Sequence, residues 1–225
     1  MTDQIKIGDK DSFDDFEASV ATRHIGMPKK KSIKETVPFS NITYDFSDIN
    51  GETYWEEREL EYVFEITADD PEELEVLKSK FAGWVMGVKE QALHDPHIPD
   101  YHFLATYDDM KVDDDEGLEK TTLTVTFTAY PYKIADTPKM RGEYLSSNAT
   151  KTFKVNNESD HPVAIFLRTP LNITLKVGDT QTVPFEPGDY DNLAIKVPPG
   201  ETTIEVTNSG VGNSYVTVGF YEEVF

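Results

Sequence analysis

The 225-residue chain contains no cysteine. That removes disulfide scaffolds, thiolate nucleophiles and Cys-based zinc or iron–sulfur centres together. Positive charge is scarce as well. Lys and Arg total 21 against 42 Asp and Glu, a net charge of −21. A surplus of that sign gives no counterion-release affinity for nucleic acid and none for an anionic membrane. Long apolar runs are also missing, because residues 81–88 and 163–167 fall far short of the ~18 a membrane-spanning helix needs. The first 20 residues carry Asp3, Asp9, Asp11, Asp14, Asp15 and Glu17, the opposite of a cationic-then-apolar secretory leader. Ser nucleophile elbows, Walker loops and dinucleotide fingerprints do not occur.

Aromatic residues are plentiful, with 13 Phe, 11 Tyr and 2 Trp, so the chain has the material for a core despite its charge. At roughly 150 residues per domain, its length suits two small domains or one large one. Composition shifts near residue 140. Residues 1–140 hold 15 basic and 31 acidic side chains, a net of −16, whereas 141–225 hold 6 and 11, a net of −5. Thr137-Pro138 and Ser146-Ser147-Asn148 read as linker segments, which gives domains of 1–142 and 143–225.

In the first domain Leu60, Tyr62, Phe64 and Ile66 alternate with Glu59, Glu61, Val63 and Glu65, the period of a strand with one buried face. Asp70 then caps a helix whose first residue, Pro71, needs no N–H partner, with Glu72 and Glu73 facing the positive dipole end. Leu74, Leu77, Phe81, Trp84, Val85 and Val88 form its apolar stripe. Gly83 and Gly87 allow close approach, and Pro96 and Pro99 mark its end. A short strand at 103–107, a polar turn at Asp113-Asp114-Asp115-Glu116-Gly117 and a strand at 121–129 make a hairpin that stops at Tyr130-Pro131-Tyr132.

After residue 142 no helical period exists. Short strands are expected at 151–155, 163–168, 172–177, 180–185, 193–197, 202–207 and 214–221, spaced as in a β-sandwich. Residues 208–213 read as the longest flexible turn. The fold class is therefore mainly β: an α+β domain with one main helix on a sheet, followed by an antiparallel β-sandwich.

Candidate chemistry concentrates in residues 94–102, where His94, His97 and His102 lie with Asp95 and Asp100. Imidazole and carboxylate are good zinc or iron ligands. The two prolines between them prevent the helical i, i+4 presentation of a zinc site, and no second ligand-rich segment completes a shell. The reading is no metal, no cofactor and no catalytic residue, with His94, His97 and His102 as the alternative metal set. The acidic turn lacks EF-hand spacing, and 42 acids make any single carboxylate pair uninformative for sugar hydrolysis. Lys29-Lys30-Lys31 reads as a salt-bridging segment or subunit contact.

Three stretches carry a resemblance to a known family. The first is Val37-Pro38-Phe39-Ser40-Asn41-Ile42-Thr43-Tyr44-Asp45-Phe46-Ser47, followed by Gly51, Tyr54, Arg58 and Leu60. The second is the Tyr62 and Phe64 strand feeding the helix stretch from Leu74 to Val88. The third is the run Thr126-Phe127-Thr128-Ala129-Tyr130-Pro131-Tyr132-Lys133. In order and spacing over about 130 residues they resemble the distal tail protein family of bacteriophages with long, non-contractile tails.

The resemblance implies that the N-terminal domain assembles head-to-tail into a hexameric ring, a hub between the tail tube protein and the tail-associated tip protein, and that DNA passes through it. Part of the −16 charge would face that conduit and repel phosphate. The C-terminal domain would be a galectin-like or carbohydrate-module-like sandwich. Receptor-binding proteins are a further candidate partner, although about 80 residues leave no room for the long inserted arm of some relatives. The location implied is the virion tail tip, after synthesis in the host cytoplasm.

Pro38, Asn41, Tyr54, Arg58, Tyr130 and Tyr132 are the family-motif residues and candidate ring contacts. The alternative function is a two-domain carbohydrate-binding protein for adhesion to a host surface. Stacking on exposed rings would carry it. The C-terminal part lacks Trp, and Phe153, Phe166, Phe185, Tyr190, Tyr215, Phe220 and Tyr221 mostly fall in strands, where core packing is the simpler expectation.

Overall fold

A computed structural model describes residues 3–36, 38–47, 53–115 and 119–225. Val37 and Gly51 of the motif, and Glu116 and Gly117 of the acidic turn, lie outside the described residues. The chain divides into two compact units, residues 1–133 and 134–225. Position 142 falls inside a strand of the second unit.

The first unit contains β1 (Lys6–Ile7), β2 (Lys10–Asp11), β3 (Ser19–Ile25), β4 (Lys34–Thr36), β5 (Thr43–Asp45), β6 (Arg58–Thr67), α1 (Pro71–Val85), β7 (Gln91–His94), β8 (Tyr101–Asp114) and β9 (Lys120–Ala129). Its main sheet runs β2-β1-β7-β8-β9-β6-β3, with every neighbour antiparallel. The sheet curls, because the Val20 N–H at one border donates to the Asp3 carbonyl beside the other at 2.8 Å. β4 and β5 pair with each other in a separate two-stranded sheet.

The alternation seen in the sequence sets the core. Leu60, Tyr62, Phe64 and Ile66 are fully buried and stand opposite Phe127, Val125, Leu123 and Thr121 of β9. Each such apolar side chain contributes about 1.5–3 kcal/mol by leaving water. The helix lies over them. Asp70 accepts from the backbone N–H of Glu72 and Glu73, both at 2.9 Å, while Leu74, Phe81 and Val85 are buried. Phe81 meets Phe64 at a centroid distance of 4.8 Å, and Phe16 stacks on Trp84 at 4.7 Å.

The structure corrects three sequence expectations here. The helix stops at Val85 rather than near Pro96. The chain turns back through Glu90 at φ 48°, and β7 takes up a place in the sheet that four residues were too few to announce. A Cβ on Gly83 would meet nothing, so that glycine mediates no close approach. The strand expected at 103–107 runs over 14 residues as β8. Its distal half is solvent-exposed, and a bulge between Tyr107 and Asp109 breaks the alternation that would have revealed it.

The second unit is all β. One sheet orders β11 (Lys139–Leu145), β20 (Ser214–Phe220), β14 (Phe166–Thr169) and β17 (Gly188–Tyr190). The other orders β12 (Thr150–Asn157), β19 (Gly200–Asn208), β15 (Ile173–Val177) and β16 (Val183–Phe185). Between them lie Leu145, Ile165, Leu167, Ile173, Leu175, Val206 and Val218, all buried, as in a sandwich. β13 (Val163–Ala164) pairs with β18 (Lys196–Val197), and β10 (Lys133–Ala135) with β21 (Glu223–Val224).

Two loops read as linker or flexible turn are instead fastened. Asn208 is buried, and its amide donates to the carbonyls of Ser146 at 3.1 Å and Gly212 at 2.8 Å while its Oδ1 accepts from Gly210 N at 3.0 Å. Residues 146–148 and 208–213 thereby hold each other. On the outer face of the first sheet, Gly219 leaves room for the ring of Phe166. A Cβ there would fall within van der Waals overlap of that ring and 2.8 Å from Met140 Cβ.

Candidate functional site

The first unit presents an unusual surface between β3 and β6. Lys31 N–H donates to Tyr54 O and Glu56 N–H to Lys29 O, each at 2.8 Å, and Lys30 bridges to Trp55. Further out β4 pairs with β5, Phe46 N–H donates to Ile33 O at 2.8 Å, and Ser47 Oγ accepts from Ile33 N at 2.9 Å. The three lysines thus form one side of the base of a two-stranded ribbon. Two strands alone are marginal in water.

This ribbon is dressed in apolar side chains that face solvent. Met27, Ile33, Phe39, Ile42, Tyr44, Phe46 and Tyr54 are all exposed. Phe39 at its tip is wholly exposed and sits in the left-handed region at φ 63°, where a bulky residue is uncommon. A strained, solvated phenylalanine serves no internal packing. Strain of this kind persists where function uses it.

A second open feature is the outer border of β3. Its inner side pairs with β6 from Ser19 to Ile25, whereas Thr22 to Ile25 have no strand on the other side among the described residues. Unpaired backbone groups on such a border are a template for another chain.

The six family-motif residues divide. Pro38, Asn41, Tyr54 and Tyr130 are exposed, the first two at the ribbon tip. Arg58 and Tyr132 are buried. Arg58 opens β6 opposite Ala129, with its guanidinium carbon 5.3 Å from the centroid of the Phe103 ring.

The histidine-rich segment resolves into two separate arrangements. His94 and His102 face each other across β7 and β8, ring centroids 5.2 Å apart. His97 is elsewhere: its Nδ1 accepts from Arg23 Nη1 at 2.7 Å, and its Nε2 lies 3.6 Å from Asp3. Among the described residues the three histidines therefore do not converge on one point.

Between them Asp95 is buried and bound on three sides. Arg23 Nε lies 2.9 Å from it, Tyr62 Oη donates to it at 3.1 Å, and His97 N–H donates at 2.9 Å. Burial first, then the Asp95 charge, pushes the Tyr62 phenol above its ordinary range. Burial works against the Arg23 cation, but the Asp3 hydrogen bond and the Asp95 charge outweigh it and raise the guanidinium. This knot fastens β3, β6 and the β7–β8 loop. Sequence reading weighed Asp95 as a metal ligand beside the histidines, whereas the structure binds it to Arg23 and to Tyr62, 33 residues away.

At the far end of the β8–β9 hairpin Lys78 Nζ binds Asp114 at 3.1 Å. The neighbouring Thr121 hydroxyl first, then Lys78, hold the Asp114 carboxyl below its usual range. In the second unit the rings split. Phe153 and Phe220 are buried, while Phe185 and Tyr190 pack against the core. Tyr144 and Tyr215 stand exposed on the outer sheet face with centroids 5.3 Å apart, and Tyr221 is exposed beside Phe166 at 5.9 Å.

No helix among the described residues is long and apolar enough to cross a membrane. No family model and no curated protein matches the sequence. The architecture, a sheet with one helix followed by an antiparallel sandwich, is the mainly-β fold of phage tail hub and baseplate proteins. It is similar to the crystal structure of the SPP1 Dit protein, described as a paradigm of the hub adsorption apparatus in phages infecting Gram-positive bacteria, at TM-score 0.70 and 13% identity over 100% of both chains. A chain of the phage P2 baseplate in its activated conformation is similar at TM-score 0.50 and 10% identity, over 99% of this chain and 98% of that one. The fold is thus Dit-like.

Proposed function

We propose that the chain is a structural, non-enzymatic hub of a long, non-contractile phage tail tip. Its first unit packs against copies of itself in a six-membered ring that joins the tail tube to tail-tip proteins and lets DNA through. The observation that carries this reading is the ribbon, with its exposed apolar side chains and strained tip. A heterologous interface repeats one such surface against a different surface of the next copy, and apolar and aromatic side chains at its centre exclude water. The open border of β3 and the Dit-like fold support the same reading. The virion tail tip is the location it implies, with the tail tube protein and the tail-associated tip protein as neighbours.

Mass measurement on the full chain, alone and mixed with tail tube protein, tests it. A species of six 25.5 kDa copies is expected, lost in a variant carrying Phe39→Ser, Ile42→Ser and Tyr44→Ser. A single-copy mass in both mixtures would overturn the ring.

One observation favours a second reading for the second unit. The exposed Tyr144–Tyr215 pair is a surface on which a sugar ring can stack. A glycan array with the full chain separates the two, because binding abolished by Tyr215→Ala supports adhesion and a blank array removes it.

A further inference from the structure

The outer face of the sheet β11-β20-β14-β17 presents its side chains in cross-strand rows, and the registers fix which residues share a row. Tyr144 stands opposite Tyr215, Gly142 opposite Thr217, and Met140 opposite Gly219. The next strands extend two of these rows, with Arg168 opposite Thr217 and Phe166 opposite Gly219, then Asp189 opposite Arg168. Gly142, Thr217, Arg168 and Asp189 therefore form one polar row, which crosses four strands over roughly 14 Å. Taller side chains border it. The exposed Tyr144–Tyr215 pair stands on one side, and exposed Met140 with the ring of Phe166 on the other.

The two glycines of this face are bare for different reasons. At Gly219 the Phe166 ring already fills the space that a side chain would take. Gly142 has no such occupant: a Cβ there would meet only the Thr217 hydroxyl, at an ordinary 3.7 Å, and its backbone is not left-handed. It lies in the middle of a seven-residue strand and is open to solvent. A glycine at such a place weakens the strand and is characteristic of a site where a ligand comes close to the backbone.

The polar end of the row suits an uncharged ligand rich in hydroxyls. Arg168 Nη1 donates to Tyr190 O at 2.8 Å and Nη2 donates to Asp191, so the guanidinium is held in place with its charge answered. Its Nε lies 3.9 Å from Asp189, whose side chain is 77% exposed. Two carboxylates against one cation disfavour an anionic ligand, while the exposed Asp189 oxygens accept from outside hydroxyls. Tyrosine rings supply an apolar surface for the C–H face of a sugar, and a few convergent polar groups fix its orientation.

We propose that this row binds a neutral oligosaccharide, laid over Gly142 beside Tyr144 and Tyr215, with its hydroxyls reaching Thr217, Arg168 and Asp189. The site rests on the adhesion reading of the second unit and adds to it a floor, a polar row and a charge class.

The test applies the full chain to an array of neutral hexose and N-acetylhexosamine oligosaccharides printed beside sialylated ones, with the melting temperature of each variant as the control for folding. Wild type is expected to bind neutral glycans saturably and to ignore the sialylated ones. Gly142→Thr fills the floor with a residue that strands favour, and it should abolish binding while melting no lower than wild type. Asp189→Asn should weaken binding about tenfold, the loss of one charge-assisted hydrogen bond.

Binding that needs Tyr215 but is untouched by both Gly142→Thr and Asp189→Asn overturns the site and leaves the adhesion reading standing. A wild type that binds no glycan overturns both, and binding confined to sialylated glycans overturns the neutral class and the site with it. Should Gly142→Thr melt well below wild type, Gly142→Ala takes its place, and binding equal to wild type in it and in Asp189→Asn overturns the proposal.

Discussion

In the second unit Asn157 and Asn208 are as deeply buried as Arg58 is in the first, yet each of those amides finds partners on both its oxygen and its nitrogen. The guanidinium finds none along its side edge. The contrast repeats on the surface. The second unit encloses its apolar side chains between two four-stranded sheets, whereas the first sends a two-stranded ribbon of apolar residues into solvent. Buried polar groups in a self-contained fold are satisfied as a rule. The first unit departs from that rule at more buried polar atoms than the second, and it is also the unit that carries the exposed apolar ribbon.

Core substitutions should erase that contrast and give the largest effects. Phe81→Ala in the first unit is expected to cost about 3–5 kcal/mol and Leu175→Ala in the second about 2–5 kcal/mol, read by urea unfolding. Two transitions, each shifted by its own substitution, would show units of independent stability. A single transition moved equally by both would break the comparison.

The Asp95 knot comes next. Tyr62→Phe removes a hydrogen bond to a buried carboxylate and should cost about 1–3 kcal/mol. Because the folded-state phenol lies above its unfolded value near 10, the stability it adds is fully present below that pH and is lost as pH rises above it. Melting temperatures between pH 8 and pH 11 should therefore fall more steeply in wild type than in Tyr62→Phe. Equal slopes would mean that Tyr62 ionises as freely as an exposed tyrosine.

The smallest change in stability belongs to the ribbon. The serine substitutions at Phe39, Ile42 and Tyr44 touch exposed positions and should stay within about 0.5 kcal/mol each, while abolishing association. A large loss of stability there would mean that the ribbon packs on its own unit and would remove it as an assembly surface.

What was legible in the sequence was local. Asp70 and Pro71 announced the helix start, and the alternations at 60–66 and 121–129 announced the two central strands, because both signals repeat within a few residues. β11 lies between the two segments read as linkers and shows no strand period, because Gly142 interrupts it and its outward positions carry Met140 and Tyr144 instead of an alternating polar set. The ribbon strands are three residues each and wholly exposed, so no buried face imposes a period. Arg58 was named by its place in a motif, but its missing partner is a property of three-dimensional enclosure. The role of Asp95 was hidden for the same reason, since its contacts come from Arg23 and Tyr62, far away along the chain.

The ring of Phe166 lying across Gly219 carries a consequence for paired substitutions. Any side chain at 219 would expel that ring, and any smaller residue at 166 would leave a gap over the glycine. Substitutions at 166 and 219 should therefore be non-additive in stability, a larger residue at 219 costing less once the ring at 166 has been removed.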